Sequence, residues 1–340
     1  MKDGVLLDQR FEQLTVWLKS RIPRGHYEIA PASSDASFRR YFRVSFHDET
    51  RIAMDVPPQQ ESCHKFVKVA EQLQSLGLNV PRIYDQDLVN GFLLVSDLGN
   101  ISYLAALSCE TAGSMYADAM RSLLSLQAGK AQLEGQLPVY DRALLLREVT
   151  IFDEWFVQRH LGLCLSDNQQ QIFSDVCHQL VDAALQQPQV PVHRDYHSRN
   201  LMIGSIDNPG ILDFQDAVIG PITYDLVSLL KDCYINWPAS DIDRWLNQFR
   251  NDLASSGMDV PPDPQTFRRW FDWMGAQRHL KAIGIFARLF HRDHKAGYLK
   301  DIPRTLTYLE DVANTYEELS AFSSLLHETI LPRYYERYTS

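Results

Sequence analysis

The sequence predicts an α+β chain of two lobes: a small mixed β lobe over residues 1–96 and a larger, mainly helical lobe over 97–340. Three observations carry this. Two alternating segments at 41–46 and 51–55 flank a turn, as paired strands do. Leu, Trp and Phe recur at three- and four-residue steps through most of 97–187 and 222–340. Between those helical stretches, 190–217 reads as strand, loop, strand, turn, strand. A length of 340 residues is more than one ordinary core needs and suits two lobes.

Taken in order, residues 6–20 carry apolar positions at helical spacing and predict an amphipathic opening helix. The strand at 41–46 turns through His47-Asp48-Glu49 into the returning strand at 51–55, which Pro57-Pro58 stops. Residues 61–76 predict a helix ending at Gly77, and 80–84 return to extended structure. The apolar run at 91–96 predicts a buried strand, and Asp97-Leu98-Gly99-Asn100 after it has the turn chemistry of a linker. The last helical region is broken at Pro238 and at Pro261-Pro262-Asp263-Pro264. Internal repeats and low-complexity tracts are absent from the sequence.

A hydrophobic fraction of 45% with 22% charged residues is that of a globular protein. The net charge of −10 argues against a broad nucleic-acid surface, which needs a basic face. Cys63, Cys109, Cys164, Cys177 and Cys233 are dispersed, which predicts free thiols in a reducing compartment. The N-terminal apolar run is short and has acidic residues on both sides, unlike a secretory signal. No stretch approaches the ~18 consecutive apolar residues of a membrane span. The expectation is a cytoplasmic protein with no membrane partner.

The chemistry concentrates in Val192-His193-Arg194-Asp195-Tyr196-His197-Ser198-Arg199-Asn200-Leu201-Met202-Ile203, the pattern H-R-D-x-x-x-x-N followed by a short apolar strand. Phosphoryl transfer needs a carboxylate to take or orient the acceptor's hydroxyl proton, and a neutral oxygen ligand for a metal nearby. A turn at Asp207-Asn208-Pro209-Gly210 and a second strand, Ile211-Leu212-Asp213, return a further carboxylate. One amide and one carboxylate suit Mg²⁺, which takes hard oxygen ligands and completes its shell with waters and ATP phosphates. Asp195 is the candidate catalytic base, and Asn200 and Asp213 are the candidate metal ligands. His193 by itself reads as a hydrogen-bonded loop histidine. A metal hydrolase built on His193, Asp195 and His197 fits less well, since the segment reads as a loop.

From about residue 30 to 300 the chain resembles the aminoglycoside phosphotransferase and choline kinase group, with its protein-kinase-like fold. The resemblance implies the same roles for Asp195, Asn200 and Asp213, and Mg-ATP as donor. Through Gly220-Pro221-Ile222-Thr223-Tyr224-Asp225 it implies that Asp225 braces the catalytic loop. The near approach of Gly220-Pro221 to Asp213 leaves no room for the long activation loop of protein kinases, which favours a small-molecule acceptor. The first lobe departs from the pattern. The stretch 33–38 contains no glycine where a phosphate loop would lie, and Asp55 stands where the family carries a strand lysine. Ser34 and Arg40 (or Arg39) are the candidate phosphate-side residues, and the resemblance places adenine against the backbone around Val95, Asp97 and Leu98.

Asp213-Phe214-Gln215-Asp216-Ala217, the run from Tyr224 to Tyr234, and the stretch from Gln277 to Leu289 resemble the sugar kinases of bacterial cell-wall recycling. Those act on the anomeric hydroxyl of N-acetylmuramate and N-acetylglucosamine, and the resemblance extends this expectation, with its role in peptidoglycan recycling, to this chain. A sugar ring needs several directional hydrogen bonds, for which Tyr196, His197, Gln215, Asp216 and Arg278 are the candidates, the arginine suiting a lactyl carboxylate. Arg278, Lys281 and Arg288 group loosely on one helical face, and a solvated basic stripe is an equal reading of Lys281. Trp155, Trp270 and Trp273 read as packing residues. An aminoglycoside or choline phosphotransferase is the alternative within the same chemistry, and a catalytically silent nucleotide-binding module is the alternative outside it.

Overall fold

The computed structural model describes residues 2–22, 27–33, 39–47, 49–58, 63–204 and 207–339. Its contacts divide the chain into two units, Met1–Ile101 with Met202–Gln215, and Ser102–Leu201 with Asp216–Ser340. The segment that carries Asp213 therefore groups with the first unit, whereas a single cut after residue 96 places it in the helical lobe.

In the first unit the two alternating segments pair as expected. They form β2 (Arg40–Phe46) and β3 (Glu49–Asp55) of an antiparallel five-stranded sheet of order β1-β2-β3-β5-β4. The others are β1 (Tyr27–Ser33), β4 (Ile83–Asp87) and β5 (Phe92–Ser96). Sequence reasoning missed β1. It contains Pro31, which cannot donate to a ladder, and it is tolerated because β1 is an edge strand. Helix α1 (Lys2–Lys19) covers one face, burying Leu14, Trp17 and Leu18 against Val44, Phe46, Ala53, Phe92 and Leu94. Helix α2 (Cys63–Ser75) buries Phe66, whose ring lies 4.8 Å from that of Phe214.

Asp55, at the strand-lysine position, has a structural explanation. It is fully buried, and its carboxylate accepts from Arg40 directly across the ladder and from Arg10 of α1. A buried carboxylate held by two guanidinium groups fastens α1 and β2 to β3, and removing it would take away the charge that both guanidinium groups meet.

The second unit is helical as predicted. Its elements are α3 (Tyr103–Ala106), α4 (Ala112–Ala128), α5 (Lys130–Leu133), α6 (Arg142–Ile151), α7 (Asp167–Leu185), α8 (Tyr224–Leu230), α9 (Ala239–Ser255), α10 (Pro264–Asp293), α11 (Ile302–Thr315), α12 (Ser320–Leu325) and α13 (Leu331–Thr339). Asp141 caps α6 by accepting from Leu144 N–H, and the helix runs on as a π-helical segment, Phe152–His160. Ser166 and Gln169 form a reciprocal capping box on α7. Pro264, read from the sequence as part of a break, begins α10. Its ring suits a first helical position, where Asp263 accepts from Gln265 and Thr266 N–H. The core joins Val149, Phe152 and Phe156 to Phe173, Leu180, Leu280, Ile283, Phe286 and Leu309, so α10 is the element around which the unit packs.

Strand β6 (Gln189–Val192) leads into the catalytic motif, β7 (Leu201–Met202) and β8 (Gly210–Ile211) form a short ladder, and β9 (Val218–Pro221) pairs antiparallel with β6. Sequence reasoning missed β9 because four residues ending in Gly-Pro carry turn chemistry. All five cysteines are free, and no helix among the described residues is long and apolar enough to cross a membrane.

Candidate active site

Asp195 lies in the loop that leaves β6, and two buried carboxylates fix the shape of that loop. Asp225, in the first turn of α8, accepts from the backbone N–H of His193 at 2.6 Å and of Arg194 at 2.9 Å. Asp232 accepts from Ser198 N–H at 2.9 Å and Ser198 Oγ at 2.5 Å, and its other oxygen accepts from Tyr234 N–H. Between the braces Arg194 adopts φ 79°. A left-handed non-glycine residue costs about 1–3 kcal/mol and persists only where its surroundings over-determine it, as two carboxylates on this loop do. The Asn200 amide nitrogen donates to the backbone oxygen of Asp195 at 3.0 Å, which turns the Asn200 oxygen away from that bond.

Asp195 opens into a pocket lined by Arg194, His197, Tyr224, Cys233, Tyr234, Arg278, Lys281, Ala282, Ile285 and Phe286. Burial works to raise the Asp195 carboxyl, but Lys281, the two neighbouring histidines and Arg278 together hold it below the usual carboxylate range. His197 is itself pushed down by burial, and Lys281 is the largest of the charges that lower Asp195. Arg278 is buried, and among the described residues its hydrogen bond is to the weak acceptor Cys233 Sγ at 3.7 Å, with no carboxylate partner.

Of the acceptor-side candidates, His197 and Arg278 line this pocket together with Asp195. Tyr196 does not. Next to the base in sequence, its side chain is fully buried and its hydroxyl donates to Ala119 O at 2.8 Å, so it belongs to the core. Gln215 is buried in the first unit and donates to Asp213 Oδ1 at 2.7 Å, and Asp216 contributes its backbone oxygen to Arg194. Arg288 is outside the pocket lining, since ten residues along a helix is about 80° short of a full turn. Sequence reasoning missed Glu148, Asp232 and Tyr224. Tyr224 and Asp232 lie in the run from Tyr224 to Tyr234 that carries the resemblance, whereas Glu148 left no signal.

In the first unit, Asp213 has φ 62°, its side chain is 45% exposed, and Arg39 Nη1 lies 3.6 Å from Oδ1. The anchored Phe214 ring and the Gln215 amide hold it in place. Asp97 and Leu98 line a cavity of about 600 Å³ with Arg43, Thr50, Asn79, Ser96, Gly99 and Gly204. Burial raises the Asp97 carboxyl, but Arg43, donating at 2.5 Å, brings it below its ordinary value, so its charge is met within the protein. Val95 is buried in β5 and faces Ile52 of β3 on one side and Ile83 of β4 on the other, so the sheet encloses its backbone as well as its side chain, and Asp97 and Leu98 are the better placed of the three. Arg40 is held by Asp55, which makes Arg39 the better placed of the two beside Asp213. Ser34 lies outside the described residues. The exposed carboxylate of Asp213, in the first unit, and the amide oxygen of Asn200, in the second, are each a hard oxygen donor of the kind Mg²⁺ takes. No cluster of three or more His, Cys, Asp or Glu occurs among the described residues, so a thiolate or imidazole metal cage is not among the sites they form.

Burial pushes Asp225 up to about 7 against the lowering effect of its two N–H donors, and the Asp195 charge adds to the rise. A carboxyl raised in the folded state stabilises fully below its unfolded pKa, and that contribution is lost as pH rises through about 7. Urea midpoints at pH 5 and pH 8 are therefore expected to give the native protein an advantage over Asp225→Asn that shrinks by a few kcal/mol at the higher pH. An advantage that grows with pH would contradict the assignment.

A two-lobe, protein-kinase-like phosphotransferase is the class these features define. The model of the phosphotransferase enzyme family matches residues 28–268, and the chain belongs to that family. It is 46% identical to the N-acetylmuramate/N-acetylglucosamine kinase of Pseudomonas aeruginosa over 94% of this chain and 96% of that protein. It is 42% identical to the protein of the same name from Neisseria meningitidis serogroup B, over 95% and 96%. Among solved structures, the GDP complex of aminoglycoside 2'-phosphotransferase-IIIa superposes with TM-score 0.59 at 16% identity, covering 91% of this chain and 99% of that one.

Proposed function

We propose that the protein transfers the γ-phosphate of ATP to the anomeric hydroxyl of N-acetylmuramate and N-acetylglucosamine, acting in the cytoplasm in peptidoglycan recycling. Residues 1–96 serve the nucleotide and 97–340 the catalysis and acceptor. The observation that carries the acceptor is Arg278, a buried guanidinium in the wall of the Asp195 pocket without a carboxylate partner among the described residues. A lactyl carboxylate is the ligand such a group takes. Arg194, Arg278 and Lys281 face this pocket, with Asp195 the only lining carboxylate among the described residues, an environment that repels the ammonium groups of an aminoglycoside or choline.

In this reading Asp195, ionised at neutral pH, takes the proton of the acceptor hydroxyl as its oxygen meets the phosphorus. An anomeric hydroxyl is more acidic than an ordinary alcohol, which eases that transfer. Asp225 holds the loop, and His197 and Arg278 orient the sugar. Ser34 and the backbone at Asp97 and Leu98 receive the nucleotide. Asn200 and Asp213 would hold Mg²⁺, which when bound offsets the triphosphate charge.

Phosphorus NMR with Mg-ATP and each acceptor in turn is the test. A sugar 1-phosphate signal from both amino sugars is expected, with none from kanamycin or choline. Arg278→Gln should weaken N-acetylmuramate turnover about tenfold or more beyond its effect on N-acetylglucosamine, the loss of one charge-assisted contact to the lactyl carboxylate being worth about 1.5–3 kcal/mol. Phosphorylation of kanamycin or choline without a sugar product would reject the reading.

A further inference from the structure

Glu148 belongs to no sequence motif of the site, and Lys281 reads equally as a neighbour of Arg278 or as part of a solvated stripe, yet the two meet at the wall of the Asp195 pocket. Lys281 lines the same pocket as Asp195, its side chain 12% exposed. An ammonium has three donors. One meets Glu148 Oε1 at 3.0 Å and one donates to the Tyr224 hydroxyl at 3.1 Å. The third is unassigned among the described residues. Glu148 is buried and receives three groups, since Arg194 and the Tyr140 hydroxyl donate to it as well as Lys281. A buried carboxylate holding two cations leaves one positive charge over, on the side of the pocket where Asp195 stands. Burial works against the charge on Lys281, and Tyr224 and Glu148 outweigh it.

We propose that Lys281 is a catalytic residue, its free N–H meeting the oxygen atoms of the phosphoryl group in transfer, and that Glu148 is the positioning residue that aims it. The inference rests on the kinase reading but on no particular acceptor. The acceptor O–P bond forms as the bond from Pγ to the bridging oxygen breaks. The electron pair leaves with ADP, the acceptor's proton goes to Asp195, and Lys281 remains an ammonium throughout. Asp55 occupies the strand position where a lysine would otherwise serve phosphate, and it is committed to Arg10 and Arg40. A fixed cation that contacts the group only as charge redistributes raises kcat rather than affinity.

Steady-state kinetics of Lys281→Met should therefore show kcat lower by about 10²–10³ with KM for the acceptor changed less than about threefold, the loss expected for one preorganised donor. Lys281→Ala should regain rate in methylammonium, saturably, while Asp195→Asn should not. A merely structural lysine would give no such rescue. Glu148→Gln should lower kcat by about tenfold, since the ammonium stays but loses its aim. If Lys281→Met does not fold, Lys281→Gln keeps the hydrogen-bonding length without the charge and should show the same loss. A kcat within threefold of native in either variant overturns the proposal, as does a raised acceptor KM with kcat kept. Absence of any sugar product from the native enzyme would reject the acceptor instead. The variants are then compared in ATP hydrolysis, where water is acceptor to the same phosphoryl transfer and the same kcat loss is expected.

Discussion

Asp195→Asn is expected to lower kcat about 10³- to 10⁴-fold, the upper range for general-base catalysis, with nucleotide affinity within a few-fold of native. The substitution preserves shape. The Asp195 backbone oxygen still accepts from Asn200 at 3.0 Å, and the backbone N–H groups of His193 and Arg194 remain on Asp225. What disappears is a carboxylate that Lys281 and Arg278 hold in its ionised form, ready to take a proton. Rate measurement by coupled ADP release and nucleotide titration by calorimetry separate the two effects. A variant retaining a tenth of native kcat would remove Asp195 from the base role and turn attention to His197, the other proton acceptor in the pocket.

The parts of this site that were legible in the sequence are local. Asp195, Asn200 and Asp213 occur within one short stretch whose spacing and turn residues have a chemical meaning before any fold is known. Asp225 was reached only through the family resemblance of Gly220 to Asp225, and its bonds to the His193 and Arg194 N–H groups became visible in the fold. Lys281 was grouped with Arg278 from helical spacing, but Glu148 and its pairing with Lys281 were not legible, since α6 and α10 are far apart in the chain and only packing joins them. Tyr196 shows the opposite error, because adjacency to a catalytic residue says nothing about which way a side chain faces, and this one points into the core. In the first lobe, alternation marked β2 and β3, but Asp55 could not be understood without Arg10, which arrives from another element. The edge strand β1 and the short β9 were hidden by prolines whose positions become harmless only once the pairing is known.

The same dependence on long-range packing makes Gly284 the least tolerant of a side chain among the described glycines of the second unit. A Cβ added there would stand 2.6 Å from Ile151 C, 2.7 Å from Ile151 O and 2.7 Å from Phe152 N. All three are backbone atoms at the junction of α6 and the π-helical segment, so no side chain can swing aside. Non-bonded carbons need about 3.5–4.0 Å, and α10 must therefore move by roughly 1 Å. Gly284→Ala gains about 1 kcal/mol of helix propensity. Overpacking against rigid backbone costs about 3 kcal/mol or more, which outweighs it. The net loss should lower the unfolding midpoint by about 4–8 °C in a domain of this size. Gly113, near the start of α4, has nothing within 4 Å of its would-be Cβ, and Gly113→Ala should be neutral or slightly stabilising. The two variants differ only in what surrounds the added methyl group. Gly284 lies three residues beyond Lys281, and Ile151 three beyond Glu148, so the crossing that excludes a methyl group also sets the 3.0 Å contact between those side chains. Gly284→Ala should therefore lose kcat at temperatures well below its own midpoint, in the pattern of Glu148→Gln. A variant with native kcat and an unchanged midpoint would mean that α10 can retreat without loosening Lys281, and the link between this crossing and catalysis would be lost.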